Sequence, residues 1–217
     1  MTRLAKPGLL LLLAAFVCPA ASVDTTVYWD GFSTVTPFGK PSTSTYGQTF
    51  TSFGGILTSF TFWLSNNFNG PEVRFGAYLM RWDVANERAT GSVLYQSAMQ
   101  SGTAQSTPTA YTFNTNLSIA SGAYIAFLTT APFAGQMPSA NAVLDMGHLA
   151  VDIYGGGSFY YQNNTASNLS SLTTAPWESF GGGEDAAFMV EIVPEPGAFV
   201  LAGGGLLALY FLRRRSA

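Results

Sequence analysis

The chain has 217 residues, of which only 10% are charged, and its formal net charge is −3. Because an average soluble domain carries about 25% charged residues, this composition predicts a surface lined by hydroxyl and amide groups. The 14% of aromatic residues can supply a buried core, which excludes a disordered chain. The acidic balance argues against nucleic acid as a partner, since phosphate binding needs clustered Lys and Arg.

The N-terminus has the three parts of a secretory signal peptide. Arg3 and Lys6 precede an uninterrupted apolar run, Leu9–Val17, and small residues suited to signal peptidase follow it. The run is too short to span a membrane, which takes about 20 residues. We therefore expect residues 1–22 to be a signal peptide, with cleavage at Ala20 or Ser22.

Cys18 is the only cysteine, and it falls inside this predicted signal peptide. A lipoprotein signal would use Cys18, but Val17 is bulkier than the small residue expected before a lipidated cysteine. The mature domain is thus expected to contain no disulfide and no Cys-ligated metal, so packing and sheet hydrogen bonds must stabilise it.

Residues 23–192 show the apolar period of two that is typical of strands rather than helices. Phe60, Phe62 and Leu64 share one face of such a run, and Trp63 lies on the other. Comparable runs are Thr26–Trp29, Gly47–Phe53, Val73–Leu79, Ser92–Tyr95, Thr109–Phe113, Ala123–Phe127, Gly147–Ile153, Ser158–Gln162 and Phe188–Ile192. Turn signals between them include Gly54–Gly55, Ser121–Gly122, Gly155–Gly157 and Gly181–Gly183. About ten short strands predict an all-β, antiparallel, jelly-roll-like sandwich.

His148, the only histidine, is the first candidate for catalysis. A hydrolase would need a nucleophile and a carboxylate beside it, and Asp145 and Asp152 are close in sequence. No Gly-x-Ser-x-Gly elbow and none of the usual metal-ligand spacings occur, however. We therefore expect no enzymatic activity and no cofactor.

Glu184 and Asp185 follow a run of glycines, Gly181–Gly183, and could join backbone carbonyls in a calcium site. No EF-hand and no Asp-rich repeat supports that interpretation. The simpler one, a solvated loop before the last strand, is preferred, and no metal site is expected.

Aromatic side chains offer a third possibility, because Trp and Tyr rings can stack on sugars. The candidates are Trp29, Trp63, Trp82, Trp177, Tyr154, Tyr160 and Tyr161. Trp63, Tyr160 and Trp177 are the three that we assign as candidate glycan contacts. The competing interpretation gives these rings structural roles in the core and over its ends.

The C-terminus begins with a short motif, Val193-Pro194-Glu195-Pro196. Two prolines cannot extend the preceding strand, because proline has no backbone N–H to donate, so the motif predicts an extended and accessible break. The uncharged stretch Gly197–Leu212 would span about 24 Å as a helix, slightly less than the hydrocarbon core of a bilayer. A basic cluster, Arg213, Arg214 and Arg215, ends it and should remain cytoplasmic.

These three parts, in this order at the chain end, resemble the PEP-CTERM sorting signal. The resemblance covers residues 193–217. It implies a Gram-negative host that secretes exopolysaccharide, an inner-membrane precursor, and cutting near the motif by an exosortase, a membrane-embedded transpeptidase-like enzyme. The alternative is a plain single-pass anchor that is never cut.

Three functions therefore remain open for the exported domain. The first is a non-enzymatic protein of the cell surface or matrix, associated with exopolysaccharide or biofilm. The second is a carbohydrate-binding module, which a row of exposed Trp or Tyr would favour. The third is a hydrolase, which a pocket joining His148 with an acid and a serine would favour.

Overall fold

The computed structural model describes residues 21–39, 43–66, 70–103, 105–137, 139, 141–163, 169–181 and 183–194. Most of the predicted signal peptide and everything from Glu195 onward, including the predicted transmembrane helix, lie outside these ranges. The described residues form one compact unit.

Antiparallel strands dominate this unit, which confirms the predicted all-β sandwich. They are β1 (Ala21–Asp24), β2 (Thr34–Gly39), β3 (Thr45–Ser65), β4 (Val73–Asp83), β5 (Arg88–Gln96), β6 (Gln100–Gly102), β7 (Thr109–Thr129), β8 (Val143–Leu149), β9 (Phe159–Gln162), β10 (Asp185–Ala186) and β11 (Phe188–Val193). A short helix α1 (Ser171–Thr174) and the 3-10 helices Thr26–Tyr28 and Ala131–Gln136 complete the described elements.

The strands β3 and β7 are each 21 residues long and pair along almost their whole length. The sequence predicted two short strands in each place, separated by turns at Gly54–Gly55 and Ser121–Gly122. That detail is wrong, because these positions are bends within continuous strands. Gly54 and Gly55 have φ of +96° and +137°, which glycine adopts without steric cost, so the strand turns while its pairing continues.

The bend divides the β3–β7 ribbon between two layers. The first half of β3 pairs with β9, and the second half of β7 with β4, which also pairs with β5. The second half of β3 pairs with β11, which in turn pairs with β1. The short strands β2 and β10 join the described sheet through β8.

The main core lies between these layers, where aromatic rings of both meet. Phe188 on β11 lies 6.1 Å from Phe50 on the first half of β3 and 4.9 Å from Phe62 on its second half, centroid to centroid. The predicted inward face is confirmed, since Phe60, Phe62 and Leu64 are all buried. Each such aromatic ring removes roughly 150–250 Å² from water, which makes these contacts the main stabilising feature of the fold.

We call the layer formed by the first half of β3, the second half of β7, β4, β5 and β9 the first layer. A second, smaller core covers its outer face. Tyr78 on β4 stacks on Phe127 of β7 at 5.3 Å, and Trp177 packs edge-on against Phe127 at 5.4 Å. Leu172 of α1 is fully buried in the same cluster. This layer is therefore buried on both faces.

The contacts between the layers predict that alanine substitutions at two phenylalanines will change the free energy of unfolding by very different amounts. Phe188→Ala should lower the free energy of unfolding by about 3–5 kcal/mol, because it leaves a cavity between the layers. Phe53→Ala should change it by less than about 0.5 kcal/mol, since Phe53 is 92% exposed. Urea denaturation followed by fluorescence measures both, and equal effects would contradict the assigned core.

Candidate functional site

The last strand, β11, leads the chain into the predicted sorting motif. It lies between β1 and β3, with Ala21 opposite Ile192 and Ile56 opposite Val193. The strand ends at Val193, directly before Pro194, as the missing N–H of proline predicts. The rest of the motif, Glu195 and Pro196, and the cluster Arg213, Arg214 and Arg215 lie outside the described residues.

We call the point where the chain leaves the sheet, at Val193, the exit. Gly55 on β3 lets the backbone at the exit pack closely against β3. A Cβ at Gly55 would lie 2.5 Å from the carbonyl oxygen of Val193 and 3.2 Å from the Cα of Pro194. Because only a hydrogen occupies that position, the backbone of the motif can approach the bend of β3 closely. Gly55 therefore allows β3 to bend and also leaves room for the last strand residue, Val193.

The N-terminal strand ends beside the same exit. The pairing of β1 with β11 includes Ala21 and Ser22, which the sequence assigned to the signal peptide. A cut after Ala20 would leave β1 whole, whereas a cut after Ser22 would remove half of its pairs. The two ends of the folded unit thus lie on neighbouring strands.

Glu184 and Asp185 are engaged in different contacts, and the predicted solvated loop is wrong for Asp185. The Asp185 side chain is fully buried: Oδ1 accepts from Gln48 Nε2 at 2.7 Å, and Oδ2 accepts from the backbone N–H of Ile153 and Tyr154 at 2.8 Å each. Burial raises the pKa of Asp185, although the two N–H groups and Gln48 oppose the shift. Both oxygens accept hydrogen bonds from distant parts of the domain, so Asp185 serves as an internal brace.

Gln48 is the partner that the sequence reasoning missed. Its Oε1 accepts from the backbone N–H of Ala186 at 2.8 Å. One side-chain amide therefore satisfies both the Asp185 carboxylate and the backbone N–H of the next residue. A signal for it was present, because Gln48 falls between Tyr46 and Phe50 on the inward face of β3. A polar residue in such a series must find a buried partner.

His148 pairs with Glu184, with 3.0 Å between Nε2 and Oε2. Its ring also packs edge-on against Phe159 at 5.2 Å and Phe180 at 5.8 Å. Burial lowers the pKa of His148, and the carboxylate of Glu184 only partly offsets this, so the imidazole is neutral at pH 7.

A cleft of about 510 Å³ lies beside β8, and we call it the loop cleft. The residues lining it are Tyr28–Asp30, Ser33–Thr34 and His148–Val151. It therefore joins a histidine, an acid and a serine, which is the combination that would favour a hydrolase.

The orientation of these three side chains does not pair the serine with the histidine. Ser33 Oγ donates to Asp30 Oδ2 at 2.6 Å. A Cβ at Gly147 would face Trp29, so the neighbouring His148 ring points to the opposite face of β8, towards Glu184. Among the residues that the structure describes, no group of three metal-ligating side chains comes together.

The three predicted glycan contacts, Trp63, Tyr160 and Trp177, do not form one platform. Trp177 is 2% exposed and donates its Nε1–H to the carbonyl of Leu172 at 2.9 Å, so its assignment as a glycan contact is wrong. It is buried because α1 and the segment after it cover the outer face of the first layer.

Tyr160 and Trp63 are half-buried in separate places. Tyr160 packs on Trp82 at 4.6 Å and donates its hydroxyl to Glu87 at 3.2 Å. Burial, with the nearby Glu87 carboxylate, raises the pKa of Tyr160 to about 12. Trp63 lies 6.1 Å from Trp29, which lines the loop cleft. Glu87, the partner of Tyr160, lines a different cleft, so the two rings do not share one.

Comparison with known families finds a match at the C-terminal end of the described unit. Residues 193–215 match the PEP-CTERM protein-sorting motif, so the match begins at the last residue of β11. No curated protein matches the chain. In the part of the chain that the structure describes, no helix has the length and apolarity to cross a membrane, and the predicted helix Gly197–Leu212 lies outside that part.

The close contact between Gly55 and Val193 predicts that alanine substitutions at two adjacent glycines will have different effects on stability. Both have positive φ, but a Cβ at Gly54 would meet nothing closer than 3.4 Å, whereas one at Gly55 would collide with Val193. Gly55→Ala should therefore lower the free energy of unfolding by about 1–3 kcal/mol more than Gly54→Ala. It should also speed amide hydrogen exchange in residues 188–193. Equal effects of the two variants would contradict the proposed contact.

The buried imidazole predicts a pH dependence of stability. Because the folded pKa of His148 is below the unfolded value of about 6.5, unfolding binds a proton, and the free energy of unfolding should fall as pH drops from 7 through 6. His148→Gln should remove most of this dependence, since His148 is the only histidine. Glu184→Gln should steepen it, because the partner that favours the charged imidazole is lost. Urea titrations at pH 7.0, 6.5, 6.0 and 5.5 give the free energy of unfolding of the three proteins. If its dependence on pH is the same in all three, the assignment is contradicted.

Proposed function

The chain carries the PEP-CTERM sorting signal of an exported protein that an exosortase processes, and we propose that it is a non-enzymatic protein of the cell surface or matrix, associated with exopolysaccharide. The observation that carries this proposal is the position of the signal. It starts at Val193, the last residue of β11, so the signal directly continues the last strand of the folded domain.

The folded end also supports processing next to the domain. Residues up to Val193 are held by β3, and up to Ile192 by β1 as well, so a protease that binds an extended peptide would have to open the sheet to reach them. The strand ends at Val193, and Pro194 has no N–H to donate to a ladder. We propose that the exosortase cuts beyond Pro194, and that Gly197–Leu212 is the membrane helix, held by cytoplasmic Arg213, Arg214 and Arg215.

The proposed export route begins with signal peptidase. We propose cleavage after Ala20 rather than after Ser22, because only that cut keeps all four residues of β1 on β11. β1 covers the otherwise open edge of β11, and an open edge would favour aggregation with other chains.

The outer surface supports contact with a hydrated glycan matrix. On the first half of β7, the side chains alternating outward are uncharged and hydrophilic: Thr112, Asn114, Asn116 and Ser118. Such a face offers hydrogen bonds to sugar hydroxyls and no strong repulsion of either sign. A Gram-negative host that secretes exopolysaccharide remains part of this proposal.

The contacts in the loop cleft support a non-enzymatic role. Ser33 is hydrogen-bonded to Asp30, and the ring of His148 is turned towards Glu184. A serine nucleophile of the triad type needs an imidazole at its hydroxyl, and here the imidazole contacts Glu184 while the Ser33 hydroxyl donates to Asp30.

Replacement of the motif tests the sorting proposal. Pro194→Ala, Glu195→Ala and Pro196→Ala combined should leave the full-length chain in the inner membrane, because the exosortase no longer recognises it. Pro108→Ala, in the loop between β6 and β7, is the matched control and should be processed like the parent protein. Cell fractionation and mass spectrometry of both termini measure the outcome, including cleavage after Ala20.

The same experiment tests the association with exopolysaccharide. The processed parent protein should co-purify with the matrix, and in a host strain that makes no exopolysaccharide it should move to the medium. Release of the triple variant at the parental rate would refute the sorting proposal. Unchanged retention in the strain without exopolysaccharide would refute the matrix proposal.

A further inference from the structure

The segment between β1 and β2 exposes an unusual concentration of apolar side chains. Val27, Tyr28 and Phe32 are 70%, 71% and 69% exposed, and Trp29 between them is half-buried. Val151, across the loop cleft, is 55% exposed. Contiguous exposed apolar surface of this kind marks interaction sites in soluble proteins.

Hydrogen bonds hold this segment in one conformation. Asp30 Oδ1 accepts from the backbone N–H of Phe32 at 2.8 Å and of Ser33 at 2.7 Å, and Trp29 Nε1 donates to the Ser33 carbonyl at 2.8 Å. That carbonyl also accepts the N–H of His148 at 3.0 Å, which ties the segment to β8. The site is thus formed before any ligand arrives, which lowers the entropic cost of binding.

The position of the Trp29 ring depends on the absence of a side chain at Gly147. A Cβ at that position would lie 2.8 Å from Trp29 Cζ2, and the ring packs against Trp63 at 6.1 Å on its other flank. Trp29 is therefore a fixed wall of the cleft, while the neighbouring Tyr28 ring projects into solvent.

The charges around the loop cleft select the class of ligand. Its lining residues include the carboxylate Asp30 and the hydroxyls of Tyr28, Ser33 and Thr34, but no Lys or Arg. Hydrogen bonds from Ser33 lower the pKa of Asp30, so the group is ionised at neutral pH. An anionic ligand would be repelled and left without a cation to pair with, and the same charge disfavours insertion into an anionic lipid surface.

We propose that the loop cleft binds a neutral polysaccharide chain. A pyranose ring presents an apolar face, which suits the rings of Tyr28 and Trp29, and a rim of hydroxyls, which suits the remaining acceptor position of Asp30 Oδ2 and the hydroxyl of Thr34. This inference rests on the proposed association with exopolysaccharide, and it assigns the contact to one place on the fold.

Calorimetric titration of the full-length chain tests the site. The chain is held in a detergent without a sugar headgroup, which would otherwise compete. The probes are neutral hexasaccharides of glucose, mannose, galactose and N-acetylglucosamine, the host's own exopolysaccharide, and hexagalacturonate as the anionic comparison. At least one neutral probe should bind, and hexagalacturonate should bind at least tenfold more weakly.

The variants locate the binding. Tyr28→Ala should weaken it at least tenfold, and Asp30→Asn, which keeps one acceptor oxygen for the loop, severalfold. Phe53→Ala removes a ring that is even more exposed than Tyr28 but lies outside the cleft lining, and it should change nothing. Circular dichroism spectra that match the parent show that each variant is folded.

Several outcomes would overturn the inference. They are the absence of binding to every neutral probe, preference for hexagalacturonate, an equal loss in Phe53→Ala, or self-association of the chain that Tyr28→Ala abolishes. If these occur while the parent protein is still processed and retained in the matrix, the inference fails and the proposed function stands. If the parent is neither processed nor retained, the proposed function fails whatever the cleft binds.

Discussion

The fold depends on the unbroken pairing of β3 with β7. Each strand contributes half of its length to either layer, so the two layers are parts of one bent ribbon. β11 completes one half and β4 the other, and the rings of Phe50, Phe62 and Phe188 meet between them. Without the bend at Gly54–Gly55 the two apolar faces would lie on one flat sheet, and neither would be covered.

The same bend sets where the domain ends. Gly55 bends β3 and also leaves the space that Val193 occupies, so the geometry that closes the sandwich also seats the start of the sorting motif. Proline at 194 then stops the ladder. The folded domain and the sorting signal thus overlap at one residue, Val193, which is both the end of β11 and the start of the motif. The match of the motif at residues 193–215 begins at this boundary.

The sequence predicted what depends on local pattern and missed what depends on distant partners. Alternation identified the inward face of β3 and the strand β11, because burial on one face of a strand has a period of two. It placed a turn at Gly54–Gly55, since two glycines are compatible with a turn or a bend, and only the partner β7 decides between them. The burial of Trp177 and Asp185 was missed for the same reason, because Phe127 and Gln48 contact them from distant parts of the chain.

The exit and the segment that lines the loop cleft adjoin opposite ends of β1. Ala21 pairs beside Val193, where the chain leaves the sheet, and Asp24 at the other end leads into the segment that carries Tyr28. Four strand residues span roughly 13 Å, so the aromatic segment lies away from the exit. Thr25 fixes the start of that segment, since its Oγ1 donates to the carbonyl of Ala186 at 2.6 Å and accepts the N–H of Phe188 at 2.8 Å. Within the described residues, the end of β11 and the segment that carries Tyr28 therefore adjoin opposite ends of β1.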